Sequence, residues 1–178
     1  MKIENEVTVL NINKDEFIKK ILLAGGKEVS PELKQIRCVY DFNPVNEHKW
    51  IRLRTNGKKS TLTIKETNGS SKMGARELEI EVSNFEETNR ILNELGYHYR
   101  NRQENYRHIF MLDGAEISID TWPKIEPYAE IEADTKQDIE NVLKKLNIKP
   151  EQITELDVCS IYSKIYNIDL LAIKELTF

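Results

Sequence analysis

The sequence predicts an α+β fold in which a largely antiparallel sheet curls around a charged lumen, its apolar face turned outward against helices. Three observations carry this expectation. The first is a set of stretches in which apolar and charged residues alternate: Glu4 and Glu6 with Ile3, Val7 and Val9; Arg52 and Arg54 with Ile51 and Leu53; Lys65 after Leu62 and Ile64; Glu77, Glu79 and Glu81 with Leu78, Ile80 and Val82; and Glu130 and Glu132 around Ile131. Successive strand side chains point to opposite faces, so each stretch has one apolar and one ionised face. The second is short connections, with tight-turn signals at Asn56-Gly57 and Asp113-Gly114. The third is that only a few segments carry helical spacing. One such strand is an ordinary solvated edge. Several, with both signs of charge in a chain of 178 residues, suggest ionised faces that share an enclosed space suited to a highly charged ligand.

Taken in order, the elements follow from local chemistry. A strand over about Ile3–Leu10 leads to Asn13, which with Glu16 makes a capping box for a helix carrying Phe17, Ile18, Ile21 and Leu22 and ending at Gly25-Gly26. Ser30-Pro31 marks a turn, followed by strands Gln35–Phe42 and Lys49–Thr55. Asn56-Gly57 folds Ser60–Glu66 back onto the latter, and the stretch 68–74 is a flexible connection to strand Arg76–Val82. A second helix opens at Ser83-Asn84, carries Phe85, Ile91, Leu92 and Leu95 and stops at Gly96. Strands are expected near Tyr97–Gln103, Tyr106–Leu112, Glu116–Asp120 and Tyr128–Ala133, with Trp122-Pro123 as a break. A third helix spans about Lys136–Leu146, and Pro150 separates it from a C-terminal helical stretch with Val158, Ile161, Tyr162 and Ile165.

Composition narrows the function classes. Charged residues make up 31% and hydrophobic residues 39% of the chain, and the net charge of −4 argues against general nucleic-acid binding. No apolar run approaches the roughly 18 residues of a membrane span, and the N-terminus has no signal-peptide pattern. The expectation is a single cytoplasmic domain over residues 1–178, with Cys38 and Cys159 as free thiols.

Two constellations carry chemistry. Glu4 and Glu6 share one strand face, as do Glu130 and Glu132, and Asp120 on the preceding strand is a natural fifth oxygen donor. Carboxylates gathered in one cavity without partners cost several kcal/mol each or take up protons. Mg²⁺ or Mn²⁺ removes that cost and leaves positions for phosphate and water. Arg52 and Arg54, with Lys65 on the paired strand, place cations close together, and Arg100 and Arg102 offer a second pair. Guanidinium groups hold phosphate oxygens bidentately and lysine acts as a point charge. Cross-strand ion pairs between these bases and the glutamates are the alternative, and both arrangements can hold when no ligand is bound. Gly57-Lys58-Lys59-Ser60 is not a P-loop, because its flanks read as a hairpin and position 52 is arginine. His48, His98 and His108 do not converge, and Trp50 and Trp122 read as packing anchors.

The ordered set Glu4-x-Glu6, Tyr40-Asp41, Arg52-x-Arg54, Lys65, Arg76 to Glu81, Arg100-Asn101-Arg102, Ile117 to Asp120 and Tyr128 to Glu132 resembles the CYTH domain. That superfamily comprises class IV adenylyl cyclases, thiamine triphosphatases and inorganic triphosphatases, also called triphosphate tunnel metalloenzymes. The resemblance implies a closed eight-stranded antiparallel tunnel that holds divalent metal and a triphosphate. It implies Glu4, Glu6, Asp120, Glu130 and Glu132 as ligands of Mg²⁺ or Mn²⁺, and Arg52, Arg54, Lys65, Arg100 and Arg102 as the phosphate clasp, with Arg54 and Lys65 acting in catalysis. Glu79 and Glu81 match further acidic positions. The implied substrate is inorganic triphosphate, ATP or thiamine triphosphate, handled by a monomer or homodimer without nucleic acid or membrane. Hydrolysis is the leading expectation, with cyclic AMP synthesis and non-catalytic binding as alternatives. One position departs: Thr8 stands where the family's Glu-x-Glu-x-Lys signature has lysine, a neutral contact for a charged one, worth on the order of 1–2 kcal/mol.

Overall fold

The computed structural model describes the backbone of residues 2–67 and 75–178 and the side chains of 5–67 and 75–178. The expected connection at 68–74 therefore lies outside the described residues, as does the side chain of Glu4. The class is α+β, with one large antiparallel sheet and four α-helices. Strands β1 (Lys2–Val9), β2 (Lys27–Asn46), β3 (Lys49–Thr55), β4 (Ser60–Glu66), β5 (Ala75–Val82), β6 (Tyr99–Leu112), β7 (Ala115–Thr121) and β8 (Tyr128–Ala133) carry the sheet. Two-residue strands β9 (Ile153–Thr154) and β10 (Glu175–Leu176) add to it. The order is β10-β6-β2-β3-β4-β5-β1-β8-β7, with β9 on β1, and β6 also pairs β7. Only the β10–β6 pairing is parallel among the described strands.

Helices α1 (Lys14–Leu23), α2 (Phe85–Glu94), α3 (Lys136–Lys145) and α4 (Val158–Tyr166) start at side-chain caps. Asn13, Asn84, Thr135 and Asp157 accept from the backbone N–H three residues on, which satisfies a donor the first turn leaves open. The expected alternation is realised as burial. Val7, Val9, Phe110, Ile117, Ile119 and Ile131 pack with Phe17 and Ile21 of α1 and Ile139 and Val142 of α3. Cys38, Tyr40, Ile51 and Leu53 pack with Phe85 and Leu92 of α2. Each such aliphatic side chain contributes roughly 1.5–3 kcal/mol on burial. The apolar faces are held by helices except on β5, where Leu78 and Ile80 stay exposed, and the polar faces of β1 to β8 line a cavity. No helix among the described residues is long and apolar enough to cross a membrane.

Three expectations are corrected. Ser30-Pro31 does not turn the chain: β2 runs through it as a 20-residue strand, with register shifts against β6 on both sides of Ser30. A proline has no N–H for the ladder and is accommodated at a bulge. The two strands expected at Tyr97–Gln103 and Tyr106–Leu112 are one strand of 14 residues, since no glycine or proline interrupts it and β2 supplies a partner along its length. The C-terminal region is more than a helix. Beyond α4, residues Leu170 to Leu176 lie against β6, where Asn101 Nδ2 donates to Ile173 O at 2.6 Å and β10 pairs Arg102 and Gln103.

Candidate functional site

The polar strand faces enclose a cavity of about 990 Å³ with lining residues from each of β1 to β8 and from α4. On the β2–β5 side, register sets residues of four strands side by side in three successive layers, most of them lining the cavity. Asp41, Trp50, Lys65 and Glu77 form one; Val39, Arg52, Thr63 and Glu79 the next; Arg37, Arg54, Thr61 and Glu81 the third. Two residues of strand advance about 6–7 Å, so Lys65, Arg52 and Arg54 form a ladder of cations roughly 13 Å long.

This wall is only partly neutralised. Lys65 Nζ lies 2.8 Å from Glu77 Oε1, and Arg52 Nη2 lies 3.5 Å from both Glu77 and Glu79. Arg54 Nη2 is 3.7 Å from Glu79, which also accepts from the Thr63 hydroxyl at 2.6 Å. Arg52, with burial next and Arg107 and Arg37 beyond, pushes Arg54 down to about 9. Burial, then Arg52 and Arg107, pushes Arg37 down to about 10. Guanidinium groups remain charged at neutral pH, so these shifts mark repulsion that an anion would relieve.

The opposite wall is acidic. Glu6 of β1 stands across from Glu132 of β8, and Glu132 across from Glu116 of β7; all three line the cavity. The next layer has Thr8, Glu130 and Ser118. Here a cation intrudes. Arg107 of β6 donates through Nε to Asp120 Oδ1 at 2.8 Å and through Nη2 to Glu130 Oε2 at 2.6 Å. Burial alone would lower Arg107, but Asp120 and Glu130 overcome it and hold the group well above its usual range. Asn105 joins the two walls, donating to Asp120 at 2.9 Å and accepting from Arg37 Nη2 at 2.9 Å.

The residues expected from sequence divide accordingly. Arg52, Arg54, Lys65, Arg100, Glu6, Glu79, Glu130 and Glu132 line the cavity. Asp120, expected as an oxygen donor for metal, is fully buried and taken up by Arg107 and Asn105. Arg102, expected beside Arg100, lies outside the cavity lining and pairs with Glu175 at 3.8 Å. The reason is a bulge: Val39 pairs Asn101 and the next residue, Tyr40, pairs Tyr99, leaving Arg100 as the extra residue. Arg100 thereby reaches Asp41, Nη1 to Oδ1 at 2.6 Å. Glu81 turns to the exposed Lys59 at 3.0 Å. The alternation of Arg37 with Val39 and Asp41 could have revealed Arg37, and the Tyr106–Leu112 strand held Arg107, but neither belongs to a charged doublet. Glu116 was likewise missed. Of the tryptophans, Trp122 packs against α4 as expected and also lines the cavity, and Trp50 lines the cavity too.

The chemistry of Glu6, Glu130 and Glu132 fits a hard divalent cation, which prefers oxygen donors. Among the described residues, no three acidic, histidine or cysteine groups are arranged to hold an ion by themselves. That is compatible with Mg²⁺, which is commonly held by one or two carboxylates together with substrate phosphates and water.

Comparison with known proteins bears on this site. The family model of the CYTH domain matches residues 10–160. None of the curated proteins matches the chain with significance. Among solved structures, the PH1012 protein from Pyrococcus horikoshii OT3 is 24% identical, with a TM-score of 0.74 over 85% of this chain and 94% of that one. A proposed adenylate cyclase from Vibrio parahaemolyticus is 14% identical, with a TM-score of 0.75 over 91% and 98%. A proposed adenylyl cyclase from Hippeastrum, described as having a dominant triphosphatase activity, is 14% identical, with a TM-score of 0.61 over 97% and 99%. At these identities the likeness is one of fold.

Proposed function

We propose that this chain, which belongs to the CYTH domain family, binds a triphosphate in its charged cavity and hydrolyses it with the help of Mg²⁺ or Mn²⁺. The observation that carries this reading is the three-layer ladder of Lys65, Arg52 and Arg54 facing Glu6, Glu130 and Glu132 across one cavity. A single phosphate would use one layer; a linear chain of phosphates uses all three. We also read the pairing of β6 with both β2 and β7 as closure of an eight-stranded tunnel around the ligand.

In this reading Arg52, Arg54 and Lys65 neutralise charge on the phosphate chain and on the phosphoryl group being transferred. Arg100, held by Asp41, assists from the same side. Glu6, Glu130 and Glu132 would hold the divalent ion, which when bound supplies further charge neutralisation at phosphate oxygens. Hydrolysis is favoured over cyclisation by the Hippeastrum neighbour, whose described dominant activity is that of a triphosphatase.

A non-catalytic binding role has one observation in its favour. Thr8 is fully buried, opposite Glu130, and its hydroxyl has no hydrogen-bond partner among the described residues, so β1 brings no cation to the acidic wall there. The test is incubation with tripolyphosphate, ATP and thiamine triphosphate under Mg²⁺ and Mn²⁺, following phosphate and cyclic AMP. Phosphate release is expected. Cyclic AMP from ATP would move the assignment to a cyclase, and tight binding with no product to a binding module.

A further inference from the structure

We propose that Arg37 is a specificity-determining residue that, together with Arg54, reads the free terminal phosphoryl group at the end of the bound phosphate chain. The proposal rests on the triphosphate reading above and adds a position outside the basic doublets that first suggested it.

Four features of Arg37 lead here. It stands directly across from Arg54 in the third layer of the cavity wall, so that layer alone holds two guanidinium groups. It is buried, with 8% of its surface exposed, yet none of its ion-pair partners is a carboxylate among the described residues, and its one hydrogen-bonded acceptor there is the neutral Asn105. Its side chain is fixed: the guanidinium lies 4.5 Å over the ring of Trp122 while Nη2 is held by Asn105. Finally, Arg37 Nε and Trp122 Nε1 are buried donors with no acceptor among the described residues, and both residues line the cavity. Asp120 favours the charged group from beyond Asn105, but no carboxylate contacts it among the described residues, and a buried charge so placed is unfavourable unless something anionic completes it. A merely structural cation would be expected to pair with a carboxylate, as Arg107 does.

The layer's chemistry selects the ligand group. An internal phosphate of a condensed chain carries one negative charge. A terminal phosphoryl carries a second ionisation near pH 6 and three unshared oxygens. Two opposed guanidinium groups match the terminal group in both charge and donor number. The first layer, where Lys65 and Arg100 are each paired with an acid, offers less net charge and suits the other end of the chain.

The test is calorimetric titration with Mg²⁺ present, comparing the imido analogue of ATP, which has a free terminal phosphoryl, with diadenosine triphosphate, in which both ends are esterified. Wild-type protein should prefer the first by about tenfold or more, the scale of one charge-assisted contact. Arg37→Gln should compress that preference to under about threefold by weakening the imido analogue, and Arg37→Lys should restore part of it. Equal weakening of both ligands by Arg37→Gln, or an undiminished preference, overturns the proposal while leaving the triphosphate reading intact. Failure of wild-type protein to bind these ligands or tripolyphosphate overturns both. Because an unpaired buried charge is being removed, the melting temperature of ligand-free Arg37→Gln should not fall; a fall with no change in preference would assign Arg37 a purely structural role.

Discussion

The two walls of the cavity handle charge in opposite ways. On the β2–β4 side, among the described residues, Arg54 and Arg37 lie close to other cations and are pushed down to about 9 and about 10. On the β1, β8 and β7 side the acids are in excess, and Arg107 is held well above its usual range by Asp120 and Glu130. The first wall is strained until an anion arrives. The second contains an ion-pair network that is already complete at its base, with Glu6, Glu116 and Glu132 above it. On the proposed reading, the same residue type serves binding on one wall and stability on the other.

The largest effect should come from breaking that network. Arg107→Met strands Asp120, which is fully buried, and removing one partner of a buried pair costs about 3–5 kcal/mol; chemical denaturation should show the loss. Arg54→Met should act in the other direction on stability, leaving the melting temperature unchanged or higher, while weakening tripolyphosphate binding by roughly ten- to a hundredfold, the scale of a charged hydrogen bond of about 1.5–3 kcal/mol. If both variants behave alike, the contrast between the walls is wrong.

A smaller effect is expected at Glu132→Gln, which should lower Mg²⁺-dependent turnover about tenfold while leaving metal-free tripolyphosphate binding in place, checked by activity and calorimetry. Next comes pH. Arg54 in the folded protein lies near 9, well below the ordinary guanidinium value, so between the two the folded state binds fewer protons than the unfolded one. Charged Arg54 thus opposes folding below about pH 9, and that opposition fades as pH rises. Anion binding raises the group again, so tripolyphosphate should bind with proton uptake near pH 9 and with none from Arg54 at pH 7; calorimetry in buffers of different ionisation enthalpy reads this directly. The smallest effect belongs to Arg102→Ala. Its partner Glu175 is half exposed at 3.8 Å, and such pairs contribute about 0–1 kcal/mol, so tripolyphosphate affinity should stay within twofold.

Much of the site was legible because strand alternation is a local property. A charged doublet such as Arg52 and Arg54, interleaved with Ile51 and Leu53, must present both charges on one face, and the apolar set went under α2 as expected. Where alternation is interrupted the reading fails. Arg100 and Arg102 look like the same kind of doublet, but the bulge against Val39 and Tyr40 separates them. Asp120 was expected to offer an oxygen to a metal, and nothing local reveals that Arg107, 13 residues away in sequence, also meets it across β6 and β7.

By itself the sequence determined which faces of the strands would be charged, where the helices would begin, and which family the chain resembles, since all of these rest on residue type and short-range spacing. The tertiary structure decided which charges meet. It set Arg37 against Arg54, drew Arg107 onto Asp120 and Glu130, and turned Arg102 outward. Those outcomes depend on pairing register between strands distant in the chain, and a single bulge is enough to change the face on which a side chain falls.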